Sequence, residues 1–175
     1  DAPVTGYKVS STGILTFTTS ASSVLSATPA NLPSASIPDA SICVWGIEGS
    51  GSNDNICIKT FGTAPNRQHW IFFTSFGDAG GEWCYWSIVL EETTNNIYIV
   101  DQRHSSSASP ALTLGVQIDG TTACEVNGSP SVTNLSGSDA SPADNAYYTF
   151  IYGTHPAWDV ELTSLDILPY AAAGN

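Results

Sequence analysis

The chain has 175 residues, enough for one domain with a substantial core and too few for two comfortable ones. Only 11% of residues are charged, against roughly 25% in ordinary soluble domains, so the polar surface has to be built from Ser, Thr, Asn and Gly. Four basic residues against sixteen acidic ones give a net charge of −12, which repels phosphate backbones and anionic lipid and excludes nucleic acid and membrane surfaces as partners.

The chain opens Asp1-Ala2-Pro3 and contains no Met, as expected of a mature, exported product. Residues 1–11 read as an extended N-terminal arm, with Val4, Tyr7 and Val9 supplying apolar surface. The segment GILTFTTS alternates as a strand does. Residues 20–40, rich in Pro, Ser and Ala, form a connector without regular structure. Then come ICVWGIE and NICIKTF around a Gly/Ser/Asn turn. Folding that pair as a hairpin about Ser50 sets Cys43 opposite Cys57 and predicts a bridge between them. Cys84 and Cys124 remain for a second bridge, and four cysteines in two disulfides suit a secreted protein.

Further strands follow in RQHWIFFTSF, EWCYWSIVLEE, NIYIVDQRH, ALTLGVQI and TACEVNG. A polar loop at 129–145 leads to AYYTFIYG and WDVELTSLDIL, and the chain ends in PYAAAGN. Asn127 and Asn134 begin sequons that accept glycan where the host supplies it. No run approaches the ~18 apolar residues of a membrane span. About ten strands with closely spaced turn signals predict an all-β, single antiparallel two-sheet sandwich, jelly-roll or Ig-like and disulfide-stabilised, over residues 1–175.

The central hairpin, GEWCYWSIVLEETTNNIYIVDQRH, is apolar on both faces. A four-residue loop from Thr93 to Asn96 sets Leu90 against Ile99, Val89 against Val100 and Tyr85 beside His104. Cys84, Trp86, Ile88 and Leu90 then face the interior, and Trp83, Tyr85 and Val89 face outward. Three covers suit that outward face: a loop of the same chain, such as the connector or the 129–145 loop; a sugar ring stacked on Trp83 and Tyr85 beside His104; or a neighbouring subunit.

Chemistry is poorly marked. There is no GxSxG, no HExxH, no phosphate-cradling Gly loop and no dinucleotide fingerprint. His69, His104 and His155 read as structural, and Glu91 and Glu92 point to opposite faces of a strand, the wrong arrangement for acid/base work on one bond. Acid- and Gly-containing loops place Asp54, Asp78, Glu82, Asp139 and Asp144 as calcium candidates, although turns have the same composition. Strands nearly devoid of Lys leave sheet edges unprotected. The expectation is a secreted, non-enzymatic structural or adhesive protein without a cofactor. Its partner would be itself, in a filament, surface layer or shell joined by exchange of the N-terminal arm. A carbohydrate-binding module using Trp83, Tyr85 and His104 is the alternative.

Overall fold

In a computed structural model, residues 4–78, 81–105, 111–132, 137–138, 145–153 and 171–173 are described. They form eleven strands: β1 (Lys8–Val9), β2 (Ile14–Thr16), β3 (Ser41–Trp45), β4 (Asn55–Phe61), β5 (Gln68–Gly77), β6 (Trp83–Glu91), β7 (Ile97–His104), β8 (Thr113–Asp119), β9 (Thr122–Glu125), β10 (Ala146–Phe150) and β11 (Ala171–Ala173). They make two antiparallel sheets, one ordered β1-β2-β3-β8-β9 and the other β11-β10-β7-β6-β5-β4. The expected two-sheet sandwich is therefore the fold. The expected strand at WDVELTSLDIL lies outside the described residues.

The core forms where alternate residues of the two sheets meet. Leu15, Ile42, Val44 and Leu114 come from the five-stranded sheet, and Ile71, Phe73, Trp86, Ile88 and Ile99 from the six-stranded one. Period-2 alternation along each strand is what delivers one side chain in two to this layer. Phe76 also enters it, because a bulge between Phe73 and Phe76, with Ser75 at φ 61°, resets the alternation. Between β3 and β4 the chain leaves one sheet for the other at Gly46. Its φ is 124°, and a Cβ there would stand 2.1 Å from the Ala111 carbonyl oxygen, so only glycine fits.

That crossing overturns the cysteine pairing. β3 and β4 are consecutive in sequence but belong to different sheets, so the presumed hairpin does not exist. Cys43 sits between Ile14 and Gly115 in register, while Cys57 pairs with Phe72 on an exposed edge. Cys84 donates to the Phe76 carbonyl at 3.3 Å, and no disulfide joins any of the four. Burial pushes the Cys43 and Cys84 thiols well up, and the carboxylates of Asp78, Asp101 and Asp54 add to the effect at Cys84.

The connector lies across the outer face of the five-stranded sheet. Val24, Leu32 and Ile37 pack there on Ile14, Cys43 and Trp45. Polar side chains of the sheet take up its backbone groups. Trp45 Nε1 donates to the Ser26 carbonyl (2.8 Å), Thr113 Oγ1 to Ala30 (2.7 Å), and the Leu32 amide donates to Glu125 Oε2 (2.8 Å). Gln117 and Ser34 exchange a pair of bonds. A segment too rich in Pro for a ladder thus satisfies its peptide groups against side chains.

The N-terminal arm pairs within its own molecule. Lys8 and Val9 pair with Thr16 and Leu15 of β2. Val9 and Tyr7 pack against the main core, and the Tyr7 hydroxyl meets His69 Nε2 at 2.8 Å. Val4 is exposed at the mouth of a cavity of about 510 Å³ between the sheet ends, rimmed by the Arg67–Glu92 ion pair. Within one chain, Tyr7 and Val9 of the expected arm thus lie on the protein's own core.

Candidate functional site: the outer face of the six-stranded sheet

The two sheets are covered unequally. Of the described residues of the 129–145 loop, Ser138 reaches the outer face of the six-stranded sheet, where its carbonyl accepts from Arg103 Nε at 2.6 Å, and cross-strand register sorts the side chains of that face into rows. One row runs Lys59, Trp70, Val89, Tyr98, Thr149 from β4 to β10. The next runs Cys57, Phe72, Ser87, Val100, Tyr147. Both rows are large on β5, small on β6 and, in the second, large again on β10. The outcome is an aromatic ridge on one side, a low floor at Val89 and Ser87, and Tyr98 and Tyr147 beyond it.

The ridge is continuous. Trp70 and Phe72 stack with centroids 5.4 Å apart and planes at 21°, and Phe61 meets the edge of Trp70 at 6.3 Å. Beside it lies a trough of about 300 Å³ lined by Gln68, Trp70, Val89, Tyr98, Val100, Asn145 and Tyr147. Its polar end is ordered through Glu91. That carboxylate accepts from Thr94 Oγ1 (2.6 Å), Gln68 Nε2 (3.1 Å), Tyr98 Oη (3.1 Å) and Asn96 Nδ2 (3.3 Å). These donors, Thr94 foremost, hold its pKa below the usual carboxylate range.

Trp83, Tyr85 and His104 do not form one site. Trp83 and Tyr85 face outward as expected, ring edge to ring face at 5.9 Å, but the Arg103 guanidinium lies 5.0 Å over the Trp83 ring and occupies that face. Val89 also faces outward but is buried among its neighbours. His104 is on the opposite side of the sheet. The hairpin loop is Glu92–Asn95, so Leu90 pairs with Ile97 and Ile88 with Ile99. A bulge between Tyr85 and Trp86 then leaves Gln102 unmatched, pairing Tyr85 with Arg103 and Cys84 with His104.

Inside the sandwich, His104 Nδ1 meets Asp101 Oδ1 at 2.8 Å, and the two side chains are 1% and 0% exposed. The His104 ring stands edge-on to Trp86 at 5.4 Å, and among the described residues His104 Nε2 and Trp86 Nε1 lack hydrogen-bond partners. With neither side chain accessible, the pair offers no surface on which to hold a substrate.

The acidic loops are internally occupied. Asp54 Oδ2 accepts the Gly51 amide at 2.6 Å, Asp78 Oδ1 accepts the Glu82 amide at 2.9 Å, and Glu82 Oε2 accepts Ser105 Oγ at 2.6 Å. Asp139 and Asp144 lie outside the described residues, as do Asn134 and His155. Among the described residues no three His, Cys, Asp or Glu side chains converge as a metal site would require. Asn127 is exposed after β9.

Sequence reading missed Trp70, Phe72, Tyr98 and Tyr147. The signal was available in RQHWIFFTSF, where strict alternation sets Gln68, Trp70, Phe72 and Thr74 on one face. β5 stands beside β6, and that face joins the outward side of the hairpin.

Residues 1–152 match the family model described as NIDO related. No curated protein and no solved structure matches the chain. The match covers most of the sequence, and the chain belongs to the NIDO-related family.

Proposed function

We propose that this member of the NIDO-related family is an extracellular, non-enzymatic domain with a structural or adhesive role, and that its copies join edge to edge along β4. Family membership supports the extracellular assignment, since NIDO-related domains are typical of extracellular proteins.

The observation that carries the reading is the state of β4. All seven of its residues are exposed, among them Ile56 at 40%, Ile58 at 60% and Phe61 at 48%. It ends the six-stranded sheet, so one whole side of its backbone is unpaired among the described residues. Lys59 is its one charge, whereas isolated edges are ordinarily defended by several charges, Pro or a bulge. Antiparallel pairing of two β4 strands relates the copies by a two-fold axis and extends the sheet across it. The two outer faces then form one wide aromatic surface. Mutual repulsion of two chains at −12 opposes this contact, and salt of physiological strength screens it over about 8 Å.

Light scattering across a concentration series tests the proposal. Native protein at micromolar concentration in physiological salt should show twice the 18.3 kDa of one chain, and Ile58→Lys should restore the single-chain mass while remaining folded. A wild-type protein that stays a monomer throughout would refute edge pairing.

A further inference from the structure

The trough on the outer face has the lining of a carbohydrate subsite, and we infer that it binds one ring of a neutral pyranose. The inference concerns the outer face and stands apart from edge pairing along β4.

Shape comes first. At about 300 Å³ the trough is at the small end of the roughly 300–1,000 Å³ range of small-molecule sites, which suits one sugar ring. Its floor is Val89 and Val100, with the Trp70 ring on one side and Tyr147 on the other. An aromatic face presents negative charge to the polarised C–H bonds on one side of a pyranose. The hydroxyls of the same sugar need hydrogen-bonding groups at the rim. Tyr147 Oη and the Asn145 amide have no partner among the described residues and stand on that rim. Across from them, Gln68 gives one N–H to Glu91 and keeps the other, and the Tyr98 hydroxyl, which donates to Glu91 and is also bonded by Asn96, keeps one acceptor lone pair. Since Glu91 fixes both groups beforehand, little side-chain freedom is lost on binding.

Charge decides the class of sugar. No Lys or Arg lines the trough. By register Lys59 stands beyond Trp70, toward the β4 edge. The Glu91 carboxylate is close by, and the whole chain carries −12. Uronic and sialic acids would be repelled without a compensating cation. Neutral hexoses and N-acetylhexosamines meet no such penalty.

Titration of the full chain with glucose, galactose, mannose, N-acetylglucosamine and their short oligomers, followed by NMR of the tyrosine and tryptophan side chains, tests the site. At least one neutral sugar should saturate the signal, glucuronate should bind more weakly than glucose, and Trp70→Ala and Tyr147→Ala should each weaken binding about tenfold. Tyr147 is 42% exposed, so its variant should keep the wild-type melting temperature even if the Trp70 variant loses stability. If none of these sugars binds saturably, or if binding is unchanged in both variants, the inference is overturned. A sugar-blind protein whose dimer still falls apart on Ile58→Lys would eliminate the glycan site alone. A monomeric protein that still binds sugar through Trp70 and Tyr147 would eliminate edge pairing alone.

Discussion

Gln117 staples the connector to the five-stranded sheet, and its removal tests whether that sheet's outer face is covered by the protein itself. The side chain is 1% exposed. Its Oε1 accepts the Ser34 amide at 2.7 Å, and its Nε2 donates to the Ser34 carbonyl at 3.1 Å and to the Ile37 carbonyl at 3.4 Å. Gln117→Leu keeps the volume close and deletes all three. The two shorter bonds have good geometry, and each contributes about 0.5–1.5 kcal/mol net. The third is at the limit of useful distance and is left out. Ser34 is half-buried, so water can reclaim part of what its peptide groups lose. The expected destabilisation is about 2 kcal/mol, which at a urea dependence of roughly 2 kcal/mol per molar moves the midpoint down by about 1 M. Hydrogen exchange supplies the local readout: the Ser34 amide should be protected in the wild type and exchange as an open loop in the variant. A midpoint shift too small to measure, with the Ser34 amide unprotected in the wild type, would mean that the connector is not seated on the sheet.

The thiols give a second test: a native labelling reagent should modify Cys57 rapidly and reach Cys43 and Cys84 only on unfolding, because both are buried and burial raises their pKa. A native mass two hydrogens short, with the loss mapped to a peptide pair containing Cys43 and Cys57, would contradict the strand topology. Glu91 gives a third. Its acidity is stronger in the folded protein, so its contribution is present above the ordinary carboxylate range, near pH 4.3, and disappears as pH falls through the lower folded value. Stability followed by urea midpoint should therefore drop more steeply below about pH 5 in the wild type than in Glu91→Gln. Parallel curves would show that its four hydrogen bonds do not favour the carboxylate.

The hairpin shows how far alternation reads. Its observed pairing, Leu90 with Ile97, differs from the expected Leu90 with Ile99 by two residues. A slip of two returns every side chain to its own face, so Trp86 and Ile88 were placed inward, and Trp83 and Tyr85 outward, correctly despite the wrong loop. His104 failed for the opposite reason. The bulge that leaves Gln102 unmatched shifts the register by one, and a one-residue shift exchanges faces. Nothing in NIYIVDQRH marks that position, because a bulge responds to the twist and packing of both strands. Cys43 and Cys57 failed at another level. Index sums assume that neighbours in sequence are neighbours in a sheet, and the turn at Gly46 sends β4 to the other sheet instead.

The destination of the connector was illegible for a reason that also bears on the outer aromatic face. A Pro-rich segment has no period to betray a buried side, and it docks wherever side chains can receive its peptide groups. The five-stranded sheet offers Trp45, Thr113, Gln117 and Glu125 for that purpose, spread over β3, β8 and β9 and so unrelated in sequence. The outer face of the six-stranded sheet offers few such handles. Ser87 donates to Gln102, while Gln68 and Tyr98 donate to Glu91, so its polar groups largely satisfy one another. A stretch of main chain laid across those rings would bury N–H and C=O groups against hydrocarbon, each at a penalty of about 1–3 kcal/mol. The same face accepts two other kinds of partner without that penalty. A strand added at the β4 edge pairs its peptide groups with backbone rather than with the rings. A pyranose brings C–H bonds to the aromatic wall at Trp70 and keeps its hydroxyls at the rim, where Tyr147 and Asn145 can reach them. The feature that makes this face a poor seat for main chain is therefore the one that suits it to an external ligand.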